Sequence, residues 1–214
     1  MKLQIKPGGE VVVTTPSRTS LKRAQFIIES SRQAIRELRQ KSLIQKHPVV
    51  PWQNGTAIGS SHTLQLIENE KARLGSPQAR TIDQKLIISS HPQENPLSLK
   101  TFIDDHAKKI LRTQAKAYLG RRLETLASRM DCHYEKVRYS NASTRWGSCS
   151  SEGTISLNIW LMTLPKELID YVLVHELSHT KHMNHSTSFW QHVEEFEPNY
   201  KQLRRELKKF SPMP

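Results

Sequence analysis

The pattern of apolar and polar residues has two different periods in the first part of this chain. Apolar residues alternate with polar ones on both sides of Pro7-Gly8-Gly9, which predicts a β-hairpin over residues 1–15. Residues 17–41 instead repeat their apolar positions every three to four residues, the period of an amphipathic helix, and Ser20 is placed to cap it. The chain is therefore predicted to begin with a hairpin followed by one helix.

The middle of the chain returns to alternation and then changes to a long helical pattern. Residues 57–67 and 79–89 alternate loosely, which predicts two or three antiparallel strands. A polar, proline-containing stretch at residues 92–96 follows and predicts a boundary between two domains. Apolar residues then keep helical spacing over residues 99–130, which predicts one long helix with Ser98 as its N-cap.

The last part of the chain contains the clearest strand and the most apolar helix. Residues 154–161 alternate after a turn at Gly153 and predict a strand. Pro165 suits the first turn of a helix, because proline is tolerated there. The run from Leu168 to Val174 is almost wholly apolar, which predicts a helix that is buried nearly all round.

This buried helix continues into His175-Glu176-Leu177-Ser178-His179, an H-E-x-x-H motif. Residues four apart lie on the same face of a helix, so His175 and His179 can offer both imidazoles to one ion. Glu176 is turned by about 100° from His175 and can act on a metal-bound water without binding the ion. The alternative, a polar helix face that happens to be rich in histidine, fits the apolar run poorly, because buried imidazoles and carboxylates are costly unless paired or metal-bound. The motif therefore predicts a catalytic zinc site.

A catalytic zinc usually has three protein ligands, so a third ligand must follow the motif. Asn184 tolerates the left-handed conformation that ends helices, and a turn there can bring His185 back over the ion. Ser186 then suits the N-cap of a new helix from Thr187 to about Phe196. His185 is the predicted third ligand. The alternatives that stay open are other ionisable side chains nearby: His182, His192, Glu194 and Glu195.

Three residues before the motif are predicted to contact substrate: Arg145, Trp146 and Asn158. The strand that contains Asn158 is predicted to lie at a sheet edge and to pair with the extended backbone of a peptide. The alternative is an ordinary structural strand, with Arg145 and Trp146 anchoring a turn. His192 and Tyr200 are open candidates for stabilising the charge that develops on the substrate carbonyl.

Composition narrows the class of protein. Hydrophobic content of 36% and a mean hydropathy of −0.60 predict a soluble protein, and no stretch approaches the ~18–20 apolar residues of a membrane span. The first residues contain no apolar segment typical of a secretory signal. Two cysteines, Cys132 and Cys149, do not make a disulfide framework, so a reducing cytoplasm is the predicted location.

The net charge of +12 is unevenly distributed. Residues 131–214 contain as many acidic as basic residues, so the whole excess lies in residues 1–130. Such a basic region can bind nucleic acid, ribosomes or nucleic-acid-bound proteins. Because the charges are scattered rather than clustered, a solubilising surface with no particular partner explains them equally well.

Short motifs spread over the second half of the chain form a recognisable series. They are Arg145-Trp146-Gly147-Ser148-Cys149, Ile155-Ser156-Leu157-Asn158, Pro165, Ile169-Asp170-Tyr171-Val172, the H-E-x-x-H motif, Asn184-His185-Ser186 and Phe189-Trp190. Over roughly residues 99–214 this series resembles the YgjP-like metallopeptidase family, which is similar to the SprT-like zinc proteases. The resemblance implies a gluzincin-like fold, with one zinc ion on His175, His179 and His185 and with Glu176 in catalysis. The family often has Cys where this chain has Ser178, a change that should leave zinc binding intact.

The predicted fold class is α+β. A β-rich N-terminal region with one helix (residues 1–95) precedes a gluzincin-like zinc-protease domain (residues 96–214) with a long support helix, a small antiparallel sheet, the H-E-x-x-H helix and C-terminal helices. The predicted function is zinc-dependent hydrolysis of peptide or protein substrates by a metal-activated water, with Glu176 as general base. The alternative is a nucleic-acid- or ribosome-associated binding protein whose zinc site is structural or vestigial.

Overall fold

The computed structural model describes residues 2–5, 11–14, 19–20, 22–23, 29–30 and 52–212. In the N-terminal part, strand β1 (Lys2–Ile5) pairs antiparallel with β2 (Val11–Thr14), which agrees with the predicted hairpin. The backbone is helical at residues 22–23 and 29–30, and the Ser20 hydroxyl accepts a hydrogen bond from the Arg23 N–H at 3.4 Å. The turn at residues 7–9 and the rest of the predicted helix lie outside the described residues, so the layout of this region stays a prediction.

Contacts divide the chain into two compact units, residues 1–49 and 50–214. This grouping differs from the boundary predicted after residue 95, because the sheet that precedes the long helix packs on that helix. The side-chain amide of Gln114 on the helix, for example, donates to the carbonyl of Ile58 in the sheet at 3.1 Å. The predicted division into an N-terminal region (residues 1–95) and a metallopeptidase domain (residues 96–214) stays a prediction.

Four short strands form the first sheet of the second unit: β3 (Ala57–Ile58), β4 (His62–Glu68), β5 (Gln78–Ile82) and β6 (Lys85–Ser90). Their spatial order is β3-β4-β6-β5. The prediction that these strands are all antiparallel is wrong, because β4 and β6 run parallel. Asp83 and Gln84 adopt positive φ angles of 46° and 62° in the tight turn from β5 to β6. Because of this turn β5 pairs with one edge of β6, and β4 pairs with the other edge.

The long helix α1 (Pro96–Met130) begins three residues earlier than predicted. Its N-cap is Asn95 rather than Ser98, because the Asn95 side chain accepts hydrogen bonds from the N–H groups of Leu97 and Ser98 at 3.0 and 3.1 Å. The predicted apolar stripe is confirmed. Its buried members recur every four residues or so: Ile103, Ala107, Leu111, Ala115, Leu119 and Leu123. Both sheets of the second unit and the helix of the metal motif pack on α1.

The second sheet contains β7 (Lys136–Ser140), β8 (Gly147–Cys149) and β9 (Thr154–Asn158), in the order β7-β9-β8. The predicted small antiparallel sheet is instead mixed, because β7 runs parallel to β9 while β8 runs antiparallel to it. The prediction that the third strand is an edge strand is also wrong. Strand β9 lies in the centre with both hydrogen-bonding edges occupied, and the open edge next to the metal motif belongs to β8.

Three shorter helices follow a 3₁₀ turn at Ile159–Thr163: α2 (Lys166–Ser178), α3 (Thr187–Phe196) and α4 (Tyr200–Leu207). Pro165 directly precedes α2, and Ser186 caps α3 by accepting from the Phe189 N–H at 3.4 Å, both as predicted. The described residues thus form a mixed fold of small sheets and four helices, in which α2 is the central helix packed by α1, β8, α3 and α4. Within these residues, no helix combines the length and apolar character needed to cross a membrane.

Candidate metal centre

Three histidine rings converge at the C-terminal end of α2. The ligand nitrogens of His175, His179 and His185 all lie within 4.8 Å of one another. Nε2 of His175 and Nε2 of His185 are 3.2 Å apart. This three-histidine cluster contains both histidines of the motif together with the third ligand predicted from the sequence.

The chain reaches His185 by a turn that differs from the predicted one. Helix α2 ends at Ser178, and the chain turns back at once, since the N–H of His182 donates to the carbonyl of Ser178 at 2.9 Å. Asn184, the predicted site of a left-handed turn, is not among the described residues with a positive φ. The tight turn that directly follows Ser178 therefore returns His185 to the end of the helix.

Phe189, in the first turn of α3, forms the floor of the three-histidine cluster. It is fully buried, and its ring centroid lies 4.5, 4.8 and 4.9 Å from those of His179, His185 and His175. The next residue, Trp190, stacks on His185 with centroids 5.5 Å apart. The imidazoles are therefore held at the junction of α2 and α3 by packing against the aromatic rings of Phe189 and Trp190.

The protonation states of the imidazoles suit metal binding. Burial, reinforced by the neighbouring His179, lowers the pKa of His175 to about 3, so this ring is neutral at neutral pH. Burial also lowers the pKa of His179. Nδ1 of His179 lies 3.1 Å from the carbonyl oxygen of His182, and when it donates there the lone pair of Nε2 is free for an ion. Neutral imidazole is the form that binds metal.

Glu176 lies beside the cluster with only 5% of its surface exposed. Burial raises the pKa of this carboxyl to about 8, and the positive charge of Arg145 opposes the shift. Gly147 of β8 provides the space for it: a Cβ at this position would lie 2.6 Å from Oε1 of Glu176. The glycine is thus required by the close approach of the carboxylate to the strand.

A cavity of about 350 Å³ opens over His175 and Glu176. Its walls come from β8, α2 and the C-terminal part of the chain, and they include Trp146, Gly147, Tyr171, Arg204, Lys208 and Phe210. Trp146, which was predicted to contact substrate, lines this cavity, and its contact with substrate stays a prediction. Tyr171 was missed, although it precedes His175 by one helical turn and so shares its face. Burial raises the pKa of Tyr171 to about 12, so its hydroxyl keeps its proton and can donate a hydrogen bond.

Asn158 does not reach this cavity. It is fully buried, and its side-chain amide donates to the carbonyls of Ala142 and Arg145 at 2.7 and 3.0 Å. Its side-chain oxygen accepts from the N–H of Trp160 at 3.1 Å. The prediction that Asn158 contacts substrate is therefore wrong, because its polar atoms are used in holding the loop before β8. That loop presents Arg145 near Glu176 and leads into Trp146.

The alternative third ligands lie outside the three-histidine cluster: His182, His192, Glu194 and Glu195. Nδ1 of His192 is instead 3.0 Å from the hydroxyl of Ser178, which donates to the carbonyl of Val174 at 2.8 Å. Ser178 is buried, so its contacts link α3 to α2. Tyr200 stacks on Trp190 with centroids 5.2 Å apart, and it does not line the cavity over the carboxylate.

Three converging imidazoles, a neighbouring buried carboxylate and an open cavity are the arrangement that metal-dependent hydrolysis requires. The family model of the YgjP-like metallopeptidase domain matches residues 1–210 of the chain. The chain therefore belongs to the YgjP-like metallopeptidase family, and the protein is a metallopeptidase. The resemblance seen in the sequence covered roughly residues 99–214, whereas the family model also matches the residues before them.

Two solved structures show the extent of similarity to other metallopeptidases. The metallopeptidase zymogen of Pyrococcus abyssi abylysin is 30% identical over 42% of this chain and 93% of its own, with a TM-score of 0.39. The metallopeptidase zymogen of Methanocaldococcus jannaschii jannalysin is 17% identical over 41% of this chain and 91% of its own, with a TM-score of 0.38. No curated protein matches the chain significantly.

Proposed function

We propose that the protein hydrolyses peptide bonds with one zinc ion on His175, His179 and His185 and with Glu176 as the general base. The observation that carries this proposal is the convergence of three imidazoles beside a carboxylate that is 5% exposed. A gluzincin-like arrangement is part of it: α2 contains the H-E-x-x-H motif, the third histidine lies on the turn to α3, and α1 supports α2.

The cluster fits a zinc ion by its spacing and its chemistry. Two nitrogens bound to one tetrahedral zinc lie about 3.3 Å apart, close to the 3.2 Å between Nε2 of His175 and Nε2 of His185. Nδ1 of His175 is buried and has no hydrogen-bond partner among the described residues, so the polar contact of this ring lies on its Nε2 side. Three histidine ligands also leave a fourth position for water, as catalytic zinc sites do. A bound ion supplies Lewis acidity, which lowers the pKa of water and polarises the substrate carbonyl.

Glu176 is placed to move the proton in both halves of the reaction. Its carboxylate accepts a proton from the attacking water and returns it to the amine that leaves the cleaved bond. A general base works best when its pKa is near the working pH, and burial together with the opposing Arg145 brings the pKa of Glu176 to about 8. Tyr171, which keeps its proton in the same cavity, is our candidate for stabilising the negative charge on the substrate oxygen.

Strand β8 is our candidate for holding the substrate backbone. It pairs with β9 in antiparallel register, and the N–H of Asn158 donates to the carbonyl of Trp146 at 2.9 Å. Hydrogen bonding alternates along an antiparallel strand, so the N–H and C=O groups of Gly147 and Cys149 point away from β9, to the open edge. An extended peptide that pairs with this edge lies beside Glu176 and is bound through its main chain, with little dependence on sequence.

Gly147→Ala is expected to lower kcat/KM for peptide hydrolysis about ten- to a hundredfold, because small misplacements of catalytic groups are costly. The added methyl would meet Oε1 of Glu176 at 2.6 Å, so the carboxylate or the strand must shift. Overpacking of this kind also costs about 1–3 kcal/mol of unfolding free energy. Hydrolysis rates and thermal unfolding are compared with those of Ser148→Ala, whose side chain points to the other face of β8. A Gly147→Ala enzyme as fast as the Ser148→Ala control would contradict the assigned position of Glu176.

Binding of nucleic acid and location in the cytoplasm have less support. Most of the basic helix predicted for residues 17–41 lies outside the described residues, and no contact within the described part of the chain favours a nucleic-acid partner. Cytoplasmic location stays a prediction. Peptides or proteins are the substrates that follow from membership of a metallopeptidase family.

The proposal is tested by removing the metal from the purified chain with a chelator and adding back zinc, with an unfolded protein such as casein as the substrate. Hydrolysis is expected to disappear on chelation and to return with about one zinc per chain, since three histidines and water complete one tetrahedral site. Equal hydrolysis by the metal-free and the zinc-loaded protein would refute the proposal. Addition of manganese or cobalt in place of zinc shows which ion supports the highest rate.

A further inference from the structure

Two basic side chains at the end of α4 border the metal centre. Arg204 and Lys208 are four residues apart and so lie one helical turn apart on the same face. Both line the cavity over Glu176, and both also line a second hollow of about 490 Å³. The other residues of that hollow are Trp190, Tyr200, Lys201 and Arg205. A peptide that extends from the metal centre into the second hollow therefore passes both charges.

Arg204 is held in place by aromatic stacking. Its guanidinium carbon lies 4.7 Å from the ring centroid of Trp190. Trp190 is itself fixed between His185 and Tyr200, with centroid separations of 5.5 and 5.2 Å. A guanidinium in this position is attracted electrostatically to the ring, and the contact leaves its N–H groups able to donate to a ligand. The charge is thus preorganised next to one of the proposed metal ligands.

Neither Arg204 nor Lys208 has an ion-pair partner in the part of the chain that the structure describes. Of the described residues, Glu176 is the one acidic residue that lines the cavity, and none that is acidic lines the second hollow. Arg122, in contrast, makes two hydrogen bonds of 2.8 and 2.7 Å to Asp170. Two unpaired cations on the path of the substrate indicate that the substrate supplies the anion.

We propose that Arg204 and Lys208 form a subsite for a carboxylate of the peptide substrate. The carboxylate is either an acidic side chain near the cleaved bond or the C-terminal carboxylate of the peptide. The planar fork of Arg204 suits bidentate binding of a carboxylate, and Lys208 adds a second charge one turn away. This inference rests on the proposed function. Main-chain pairing to β8 is tolerant of sequence, whereas the subsite makes the enzyme selective for peptides with a carboxylate at this position.

The preference is measured on the zinc-loaded full chain with short synthetic peptides that differ at one position, which is Glu, Gln or Lys. Each peptide is made with a free and with an amidated C-terminus. The ratio of kcat/KM for the acidic over the neutral peptide is expected to be about tenfold, the size of one charge-assisted interaction, and to fall with added salt. A preference for Glu over Gln that is the same in both series assigns the subsite to a side chain. A preference for the free over the amidated C-terminus, whichever residue occupies the varied position, assigns it to the C-terminal carboxylate.

Arg204→Gln and Lys208→Gln are each expected to lower this ratio, and the double variant to bring it close to one. Lys209→Gln is the matched control and is expected to keep the wild-type ratio, because Lys209 is exposed and lines neither the second hollow nor the cavity over Glu176. Thermal unfolding of each variant shows that the fold is kept, and the ratio for one enzyme is insensitive to the amount of active protein. Ratios near one in the wild type both for Glu over Gln and for the free over the amidated C-terminus, or ratios unchanged in the double variant, overturn the inference.

A binding measurement separates this inference from the proposed hydrolysis. Calorimetric titration of the Glu176→Gln protein with the same peptides needs no turnover, and the acidic peptide is expected to bind about tenfold more tightly than the neutral one. If the wild type cleaves no peptide, the proposed function fails while this titration still tests the subsite. Binding of a single-stranded oligonucleotide that depends on Arg204, without any preference among peptides, would assign the hollow to nucleic acid and overturn the inference.

Discussion

The Glu176→Gln variant is expected to keep its metal ion and to lose peptide hydrolysis by about three orders of magnitude, the middle of the range for a general base. Glutamine has nearly the same shape, and the carboxylate lies beside the three-histidine cluster without belonging to it. The ligand nitrogens therefore stay in place. The amide has no basic oxygen to accept a proton from water, so the step assigned to the carboxylate is lost. Metal content per chain and kcat/KM for one peptide, measured on the same preparation, check both halves of this expectation.

Glu167→Gln is the matched control for that experiment. Glu167 is the acidic residue in the first turn of the same helix, and its side chain is exposed. Its replacement is expected to leave both the metal content and the hydrolysis rate unchanged. A Glu176→Gln protein that loses the ion would reassign Glu176 as a ligand, and one that hydrolyses at the wild-type rate would remove it from the mechanism.

The second large effect is expected for His185→Ala, which should weaken metal binding by more than about a hundredfold and abolish hydrolysis. Loss of a residue that only orients a metal ligand typically costs about 10–100-fold in affinity, and loss of a ligand costs more. The variant retains two imidazoles, fewer than the three protein ligands usual for catalytic zinc. Competition with a chromophoric chelator measures the affinity, and thermal unfolding without metal shows whether the fold is retained.

His182→Ala is the control, because His182 is near in sequence and is one of the alternative ligands. Its ring lies outside the three-histidine cluster, and its contact with His179 is made by the backbone carbonyl, which the substitution keeps. Metal affinity close to that of the wild type is therefore expected. Should His182→Ala lose the ion while His185→Ala keeps it, the ligand set proposed for this centre is wrong.

The parts of the site that could be predicted from the sequence depend on local spacing. The four-residue separation of His175 and His179 places them one turn apart on any helix, and the apolar run before them shows that the helix is buried. Ser186 was predicted to cap α3 because capping involves a side chain and an N–H only three residues away. His185 lies in the three-histidine cluster, although the chain does not make the predicted left-handed turn at Asn184, and the role of His185 as a ligand stays a prediction.

The errors concern pairings between distant parts of the chain. Alternation identified β9 as a strand, but periodicity cannot tell a central strand from an edge strand, since that depends on which neighbours pair with it. For the same reason the parallel pairing of β4 with β6 was missed. Asn158 has a polar side chain of the kind that binds substrate, yet its amide donates hydrogen bonds to the carbonyls of Ala142 and Arg145. No local sequence pattern reveals these contacts.

The sequence by itself determined the H-E-x-x-H motif, the position of its carboxylate beside the two histidines and the buried helix to which they belong, because each follows from the geometry of one helical turn. Only the tertiary structure decided which strand edge is open beside Glu176, why Gly147 must lack a side chain, and that Arg204 and Lys208 reach the same cavity. These features arise where segments far apart in the chain pack together. Their positions depend on the packing of α2 against β8 and α4, which no spacing within a single segment encodes.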